Sequence, residues 1–336
     1  MKWLSDAVVA HLRAVADWPD LSGTHYEIVE KIGQGGMAAV YRARDRQLDR
    51  EVAIKVLAVP EEGDPAASRL LSEAKIVAQL EHPGIVPVHD LGVLPDGRVY
   101  YVMKLVRGKR LDESTERDLP ALLRTFEKIC QAVEFAHAHG VIHRDLKPQN
   151  VMVGEFGEVL VLDWGVAKRK GDLESSLHST PAQGSAEGAQ TKDGCVIGTP
   201  GYMAPEQARG DTGSIDERTD VYALGAILYF LLTGQAPARS ASESTLVGPR
   251  EWNPSAPKAV EAICLKALSP ERDSRYARVA EISADVGRYL AQLPVAAYRE
   301  TILDTSRRLF VKYRTAILLV LAYLVVRVVL LFWAGT

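Results

Sequence analysis

The order of apolar and polar positions changes character several times along the chain. In the opening stretch MKWLSDAVVAHLRAVADWPD, Leu4, Val8, Leu12 and Val15 recur three to four residues apart, the spacing of a short amphipathic helix. Asp6, His11 and Arg13 interrupt any apolar centre and the start carries one lysine, so the stretch does not read as a secretory signal. It reads as a helix docked on the main fold.

From Tyr26 the period becomes that of strands. YEIVEKIGQGGMAAVYRARD reads as strand, glycine turn, strand, and REVAIKVLAV as a further strand rich in Val and Ile. SRLLSEAKIVAQL is helical, with Leu71, Ala74, Val77, Ala78 and Leu80 on or near one stripe, and Pro83 and Gly84 stop it. VPVHDLGV and RVYYVMKLV flank the turn LPDG as two more strands. Beyond Gly108 helices dominate: LPALLRTFEKICQAVEFAHAHG, DVYALGAILYFLLTG, PKAVEAICLKALS and VAEISADVGRYLAQL. A β-rich first half followed by a larger helical half predicts an α+β fold in two lobes. Between Lys168 and Val196 the chain is rich in Ser, Gly, Thr and Ala with almost no apolar anchor, which reads as a mobile loop.

The last change is the sharpest. From Ala316 to Ala334, 18 of 19 residues are apolar and Arg327 is the single charge. At about 1.5 Å per residue such a helix reaches ~28 Å, close to a hydrocarbon core. Arg307, Arg308, Lys312 and Arg314 precede it, and the positive-inside rule then sets everything N-terminal of the span in the cytoplasm. Arg327 opposes insertion by ~2.5–3.5 kcal/mol, part of which snorkelling toward the Phe332/Trp333 end relieves. The competing reading is a buried or oligomerising helix of a soluble protein. Only Gly335 and Thr336 follow, so the expectation is of no sensor domain across the membrane, unless this is a shortened member of a longer architecture.

Composition narrows the function classes without naming one. The 336 residues are 47% hydrophobic and 25% charged, which excludes a largely disordered or collagen-like chain. A net charge of -3 argues for no nucleic-acid partner. Cys130, Cys195 and Cys264 are too few and too scattered for a disulfide framework or a zinc site, and suit a reducing compartment.

The candidate chemistry begins at Gly33-Gln-Gly35-Gly36-Met-Ala38-Ala-Val40, between two strands. Glycines there let backbone N–H groups approach phosphate oxygens, although a tight hairpin that binds nothing has the same pattern. Lys55, in Val52-Ala-Ile-Lys55, needs a counter-charge such as Glu73 if it points inward; strand alternation equally allows a solvated outer face. The balance shifts at His143-Arg144-Asp145-Leu146-Lys147-Pro148-Gln149-Asn150, followed by Asp163-Trp164-Gly165. Two acids and an amide between short strand-like runs are oxygen ligands of the type that suits Mg²⁺ with phosphate. Asp145 can take a proton from an attacking hydroxyl while Asn150 and Asp163 hold metal, the division of labour that phosphoryl transfer needs.

In this order and spacing the motifs resemble those of a eukaryotic-type (Hanks-type) protein serine/threonine kinase of the bacterial membrane-anchored kind, over about residues 26–293. The resemblance implies a bilobal kinase fold, with an N-lobe at about 26–106 and a C-lobe at about 107–293. Around it lie an extension at 1–25, a basic juxtamembrane linker at 294–315 and a transmembrane helix at 316–334. It implies that the glycine loop covers the ATP phosphates, that Lys55 contacts them while pairing with Glu73, and that Asp145 is the catalytic base. Lys147 would support the γ-phosphate and mark serine/threonine substrates. Asn150 and Asp163 would bind Mg²⁺, with Mn²⁺ as an allowed substitute. Met103, Lys104 and Val106 would belong to the adenine hinge, and Ile32, Val40, Ala53 and Met152 complete the nucleotide-binding set. Gly198-Thr-Pro-Gly-Tyr-Met-Ala-Pro-Glu206 resembles the peptide-docking loop, Asp220 the acid that braces the catalytic loop, and Arg275 the partner of Glu206. Arg144 would receive a phosphorylated loop residue, with Ser175, Ser176, Ser179, Thr180, Ser185, Thr191 and Thr199 as candidate hydroxyls. The implied partners are protein substrates, the lipid bilayer and a second copy for autophosphorylation in trans. Ala38, Lys104 and Trp164 depart from the family pattern, and they are the support for the alternative of a pseudokinase scaffold.

Overall fold

The computed structural model describes residues 18–35, 38–57, 66–164, 168–169, 201–237 and 246–334. The expected helix before Trp18, Gly36, Gly165, Cys195 and the seven loop hydroxyls from Ser175 to Thr199 lie outside the described residues.

Five antiparallel strands build the first lobe: β1 (Tyr26–Gln34), β2 (Ala38–Asp45), β3 (Arg50–Leu57), β4 (Val88–Val93) and β5 (Val99–Lys104), in the order β1-β2-β3-β5-β4. Helix α1 (Ala66–Val77) packs on one face. Because β3 is central, its alternation serves two cores. Val52, Ile54 and Val56 join Tyr26, Tyr41, Tyr100 and Val102 on one side. Leu57 meets Leu70 and Ala74 of α1 on the other. Lys55 shares the parity of Leu57, so the fold turns it toward α1 rather than to solvent. Ahead of β1, Leu21 is buried in the outer cluster and the Trp18 ring meets Tyr41 edge-on at 5.6 Å.

After β6 (Gly108–Arg110) comes α2 (Leu119–Ala138), whose first turn is capped by the Asp118 carboxylate accepting from Ala121 N at 3.1 Å. Leu122, Leu123, Phe126, Ile129, Cys130, Val133 and Ala136 form its buried stripe, and Gly140, with φ of 74°, turns the chain after it. Short strands β7 (Val141–Ile142), β8 (Val151–Gly154) and β9 (Val159–Val161) carry the motif-bearing loops, and β10 (Lys168–Arg169) pairs with β7. The rest is helical: α3 (Pro205–Ala208), α4 (Glu217–Thr233), α5 (Pro249–Trp252), α6 (Lys258–Ala267), α7 (Val279–Leu290) and α8 (Ile302–Ala334). Helix α4 is buried on nearly every side and runs through the centre of this lobe. A Cβ on Gly225 would come within 2.7 Å of the Ala267 Cβ, so glycine here sets how closely α4 and α6 approach.

Helix α8 begins at Ile302, well ahead of the apolar run from Ala316. A capping box sets its start. Thr301 Oγ1 accepts from Asp304 N at 3.3 Å, and the Asp304 carboxylate accepts from Thr301 N at 3.1 Å. The segment between α7 and α8 is tied down. Buried Asp285 accepts from Ala296 N at 2.7 Å and Ala297 N at 3.0 Å, while Arg308 reaches back to Glu300 at 2.9 Å and to the Gln292 carbonyl at 3.2 Å.

Candidate active site

The charged side chains singled out from the sequence meet between the lobes from two directions. From β3, Lys55 Nζ donates to Glu73 of α1 at 2.8 and 3.1 Å and to Asp163, beyond β9, at 2.7 Å. Glu73 is buried and Lys55 only 14% exposed, whereas the Asp163 side chain remains half exposed at 50%. Burial alone would lower the lysine pKa, but Tyr101, Asp163 and Glu73 outweigh it and raise the ammonium above its ordinary range. Burial likewise works to raise the Asp163 pKa, and the facing Lys55 reverses it, holding the carboxyl below the usual carboxylate range. Each shift favours the charged form.

Tyr101 is a member of this cluster that the pattern of residues did not single out. It sits opposite Lys55 in the β3–β5 register, and its hydroxyl donates to Glu73 Oε1 at 2.9 Å. The ammonium lies 5.8 Å from its ring centroid. Residues 99–102 of β5 are all buried, so only the register with β3 brings Tyr101 to Lys55.

The second arm is the loop between β7 and β8. Lys147 Nζ donates to Asp145 Oδ2 at 2.8 Å, and Asn150 Nδ2 donates to the Asp145 carbonyl at 2.7 Å and to its Oδ2 at 3.1 Å. Arg144 adopts φ of 71° and Asp163 φ of 62°, left-handed values that residues with a Cβ seldom take. What holds Arg144 there is Asp220 at the start of α4, which accepts from His143 N and Arg144 N, both at 2.8 Å, and from His137 at 2.7 Å. Asp220 is fully buried; burial favours its neutral form, yet the His137 bond and the surrounding donors depress its pKa. Asp163 is backed by Trp164, whose buried ring lies 4.5 Å from His143 and whose Nε1–H faces the Val161 carbonyl at 3.4 Å. The bulkier ring is thus accommodated in the main core. Arg144 Nε is buried without a hydrogen-bond partner among the described residues.

The segment from Gly201 is anchored inside the helical lobe. Arg275 grips Glu206 with two bonds of 2.8 Å, both side chains having no exposure, and Thr219 Oγ1 adds a third at 3.1 Å. Across the roof, Gly33 pairs with Val40, and Gly35 N donates to the Ala38 carbonyl at 2.8 Å. A Cβ at Gly33 or Gly35 would meet only ordinary contacts, at 3.6 Å, so packing within the chain does not demand glycine at either position. Ala53 faces Met103 in the β3–β5 register, and Met103 and Val106 pack against the main core. Lys104 is exposed, Ile32 is exposed on β1, and Met152 is half-buried on β8.

A β-sheet lobe over a helical lobe, with these charged side chains in the cleft, defines the protein kinase class of fold. The protein kinase domain family model matches residues 26–277, and the chain belongs to that family. Among its relatives is the serine/threonine-protein kinase PknD of Chlamydia felis, 38% identical over 320 residues, which cover 88% of this chain and 34% of that protein. Another is the serine/threonine-protein kinase PknB of Mycolicibacterium smegmatis, 39% identical over 285 residues, 80% of this chain and 43% of that protein. The chain thus spans about a third of the length of its PknD relatives. The crystal structure of the PknI kinase domain of Mycobacterium tuberculosis has the same fold, with a TM-score of 0.60 at 22% identity over 80% of this chain and 97% of that one. Membership of the family implies ATP, a divalent metal and protein substrates in general terms.

Proposed function

We propose that this chain transfers the γ-phosphate of ATP to serine and threonine hydroxyls of proteins, with Asp145 as catalytic base. The observation that carries this reading is Lys55 bridging Glu73 and Asp163 in one cleft, next to the Asp145–Lys147–Asn150 cluster. In the proposed mechanism the Asp145 carboxylate, fixed by Lys147 and Asn150, accepts the proton of the substrate hydroxyl as its oxygen bonds to phosphorus and the bond to the ADP oxygen breaks. Lys147, within reach of the same carboxylate, offers a positive charge to the transferring phosphoryl group. Lys55 binds the α/β-phosphates, and Glu73, steadied by Tyr101, sets where its ammonium lies. The room above Gly33 and Gly35 suits close approach of phosphate oxygens to backbone N–H groups.

Asn150 and Asp163 are the residues that would hold Mg²⁺. Their amide and carboxylate oxygens are the hard donors that ion takes, and no group of three or more His, Cys, Asp or Glu among the described residues forms a complete metal cage. A metal that shares phosphate and water oxygens fits such an incomplete set. When bound, it supplies neutralisation of phosphate charge.

Arg144 Nε, buried without a partner among the described residues, supports docking of a phosphorylated loop hydroxyl there. For α8 we propose a membrane anchor, with the kinase lobes in the cytoplasm. Its window Tyr313–Leu330 has a mean hydropathy of 2.0 and none of it is buried against the fold. Incubation of the full chain with γ-labelled ATP, Mg²⁺ and a general protein substrate tests the reading. Label in acid-stable phosphoserine and phosphothreonine is expected; ATP binding without transfer under any divalent metal would instead make the chain a pseudokinase. Carbonate extraction tests the anchor, and release of the chain into the soluble fraction would reject it.

A further inference from the structure

Gln207 follows Glu206 in α3 and uses both ends of its side chain. Its Oε1 accepts from Ala204 N at 3.3 Å, and its Nε2 donates to the Arg144 carbonyl at 2.7 Å. The second bond crosses from the docking segment to the catalytic loop. Arg144 is held in its left-handed conformation from one side by Asp220 Oδ1, which accepts its N–H at 2.8 Å. Gln207 holds the other side, at the carbonyl. The two bonds together over-determine a conformation that a residue with a Cβ would otherwise leave.

Rotation about the Arg144–Asp145 peptide plane is what this carbonyl bond opposes. The next side chain in the chain is the Asp145 carboxylate, so the plane sets the direction from which that carboxylate meets Lys147 and Asn150. Glu206, the neighbour of Gln207, is itself locked to Arg275 with no exposure, which makes α3 a firm base for the reach.

We propose that Gln207 is a positioning residue: by holding the Arg144 carbonyl it fixes the Arg144–Asp145 peptide plane and ties the aim of Asp145 to the seating of the Gly201–Glu206 segment. The catalytic consequence rests on the kinase reading above, whereas the fixing of the loop does not. Two variants of the full chain separate the two bonds. Gln207→Glu keeps an acceptor for Ala204 N but has no donor for the Arg144 carbonyl, and Gln207→Met has neither.

The measurements are kcat and KM for ATP and for a protein substrate, together with hydrogen–deuterium exchange of residues 143–150. Both variants are expected to lose kcat on the order of tenfold, the scale of one lost hydrogen bond. KM for ATP stays within roughly twofold, since uniform binding is untouched, and exchange at 143–150 accelerates in both. A role confined to capping α3 predicts the opposite pattern, with Gln207→Glu equal to the unmodified chain and only Gln207→Met impaired; that result overturns the proposal. If Gln207→Met does not fold, Gln207→Glu alone decides on the same criteria. If the unmodified chain transfers no phosphate, the kinase reading fails, and exchange at 143–150 in Gln207→Glu still decides whether Gln207 fixes the loop.

Discussion

Removing one member of the Glu206–Arg275 pair offers a quantitative test of how the C-lobe is held together. Arg275 spends every donor it has: two bonds of 2.8 Å on Glu206, and bonds of 2.8, 3.0 and 3.1 Å on the carbonyls of Ser269, Arg218 and Pro270. Its guanidinium also lies 5.0 Å from the Tyr222 ring centroid. Neither member of the pair has any exposure, so Glu206→Gln leaves a buried cation without its counter-charge. Breaking a buried pair from one side costs about 3–5 kcal/mol. Gln keeps one acceptor, which sets Glu206→Gln near the lower end and Arg275→Met near the upper. With a urea dependence of roughly 3 kcal/mol per molar, a loss of about 3 kcal/mol moves the unfolding midpoint by about 1 M. Tryptophan fluorescence reads it, since Trp164 is buried and Trp252 half exposed. The double variant should lose at least ~2 kcal/mol less than the two single losses added together. Single losses under about 1 kcal/mol that simply add would refute the reasoning.

The same pair sets a pH dependence. Burial works to raise the Glu206 pKa, but the bonds from Arg275 and Thr219 win and depress it, and Asp220 is depressed in the same direction. A carboxyl whose folded pKa lies below its unfolded value of ~4 contributes stability that is complete above that value and is lost as pH falls toward the folded one. Acid unfolding should therefore set in below about pH 4–5, and Glu206→Gln should flatten that part of the stability profile; an unchanged slope would count against the assignment. In the cleft, Lys55→Met removes the bridge between Glu73 and Asp163, and phosphate transfer should fall by roughly two to three orders of magnitude. A fall of less than tenfold in steady-state phosphorylation would contradict the bridge's role. Tyr101→Phe deletes one donor to Glu73, an effect of about 1 kcal/mol or fivefold in kcat/KM, and no change would show that Glu73 is held without it. Arg308→Ala frees Glu300 and the Gln292 carbonyl, so amide exchange between α7 and α8 should quicken by about 1–2 kcal/mol of lost protection. Unaltered exchange there would mean that Asp285 alone secures the segment.

Much of this architecture was legible in the order of residues, because local periodicity is a local property. The strand pattern around Lys55 and the helical run of α2 are examples. The direction of Lys55 was not legible, since a central strand is apolar on both faces and only its neighbours decide which face meets α1. Tyr101 escaped notice for a related reason, as its partner is set by register. Gln207 and Asp285 act on backbone groups far away in sequence, and no spacing rule announces such a bond. The start of α8 was different. Thr301 and Asp304 form a recognisable capping box, but the basic residues that follow read as a linker and masked it. The side chains expected to do chemistry do meet in one cleft, because a motif's order and spacing reflect loops anchored on α4 and β9.

Single-turnover transfer from labelled ATP by the full chain and by Asp145→Asn tests whether this cleft performs phosphoryl transfer with Asp145 as the base. A loss of roughly a hundredfold or more is expected in the variant, on the scale of general-base catalysis, with ATP affinity retained. Equal transfer by the two proteins would contradict that assignment.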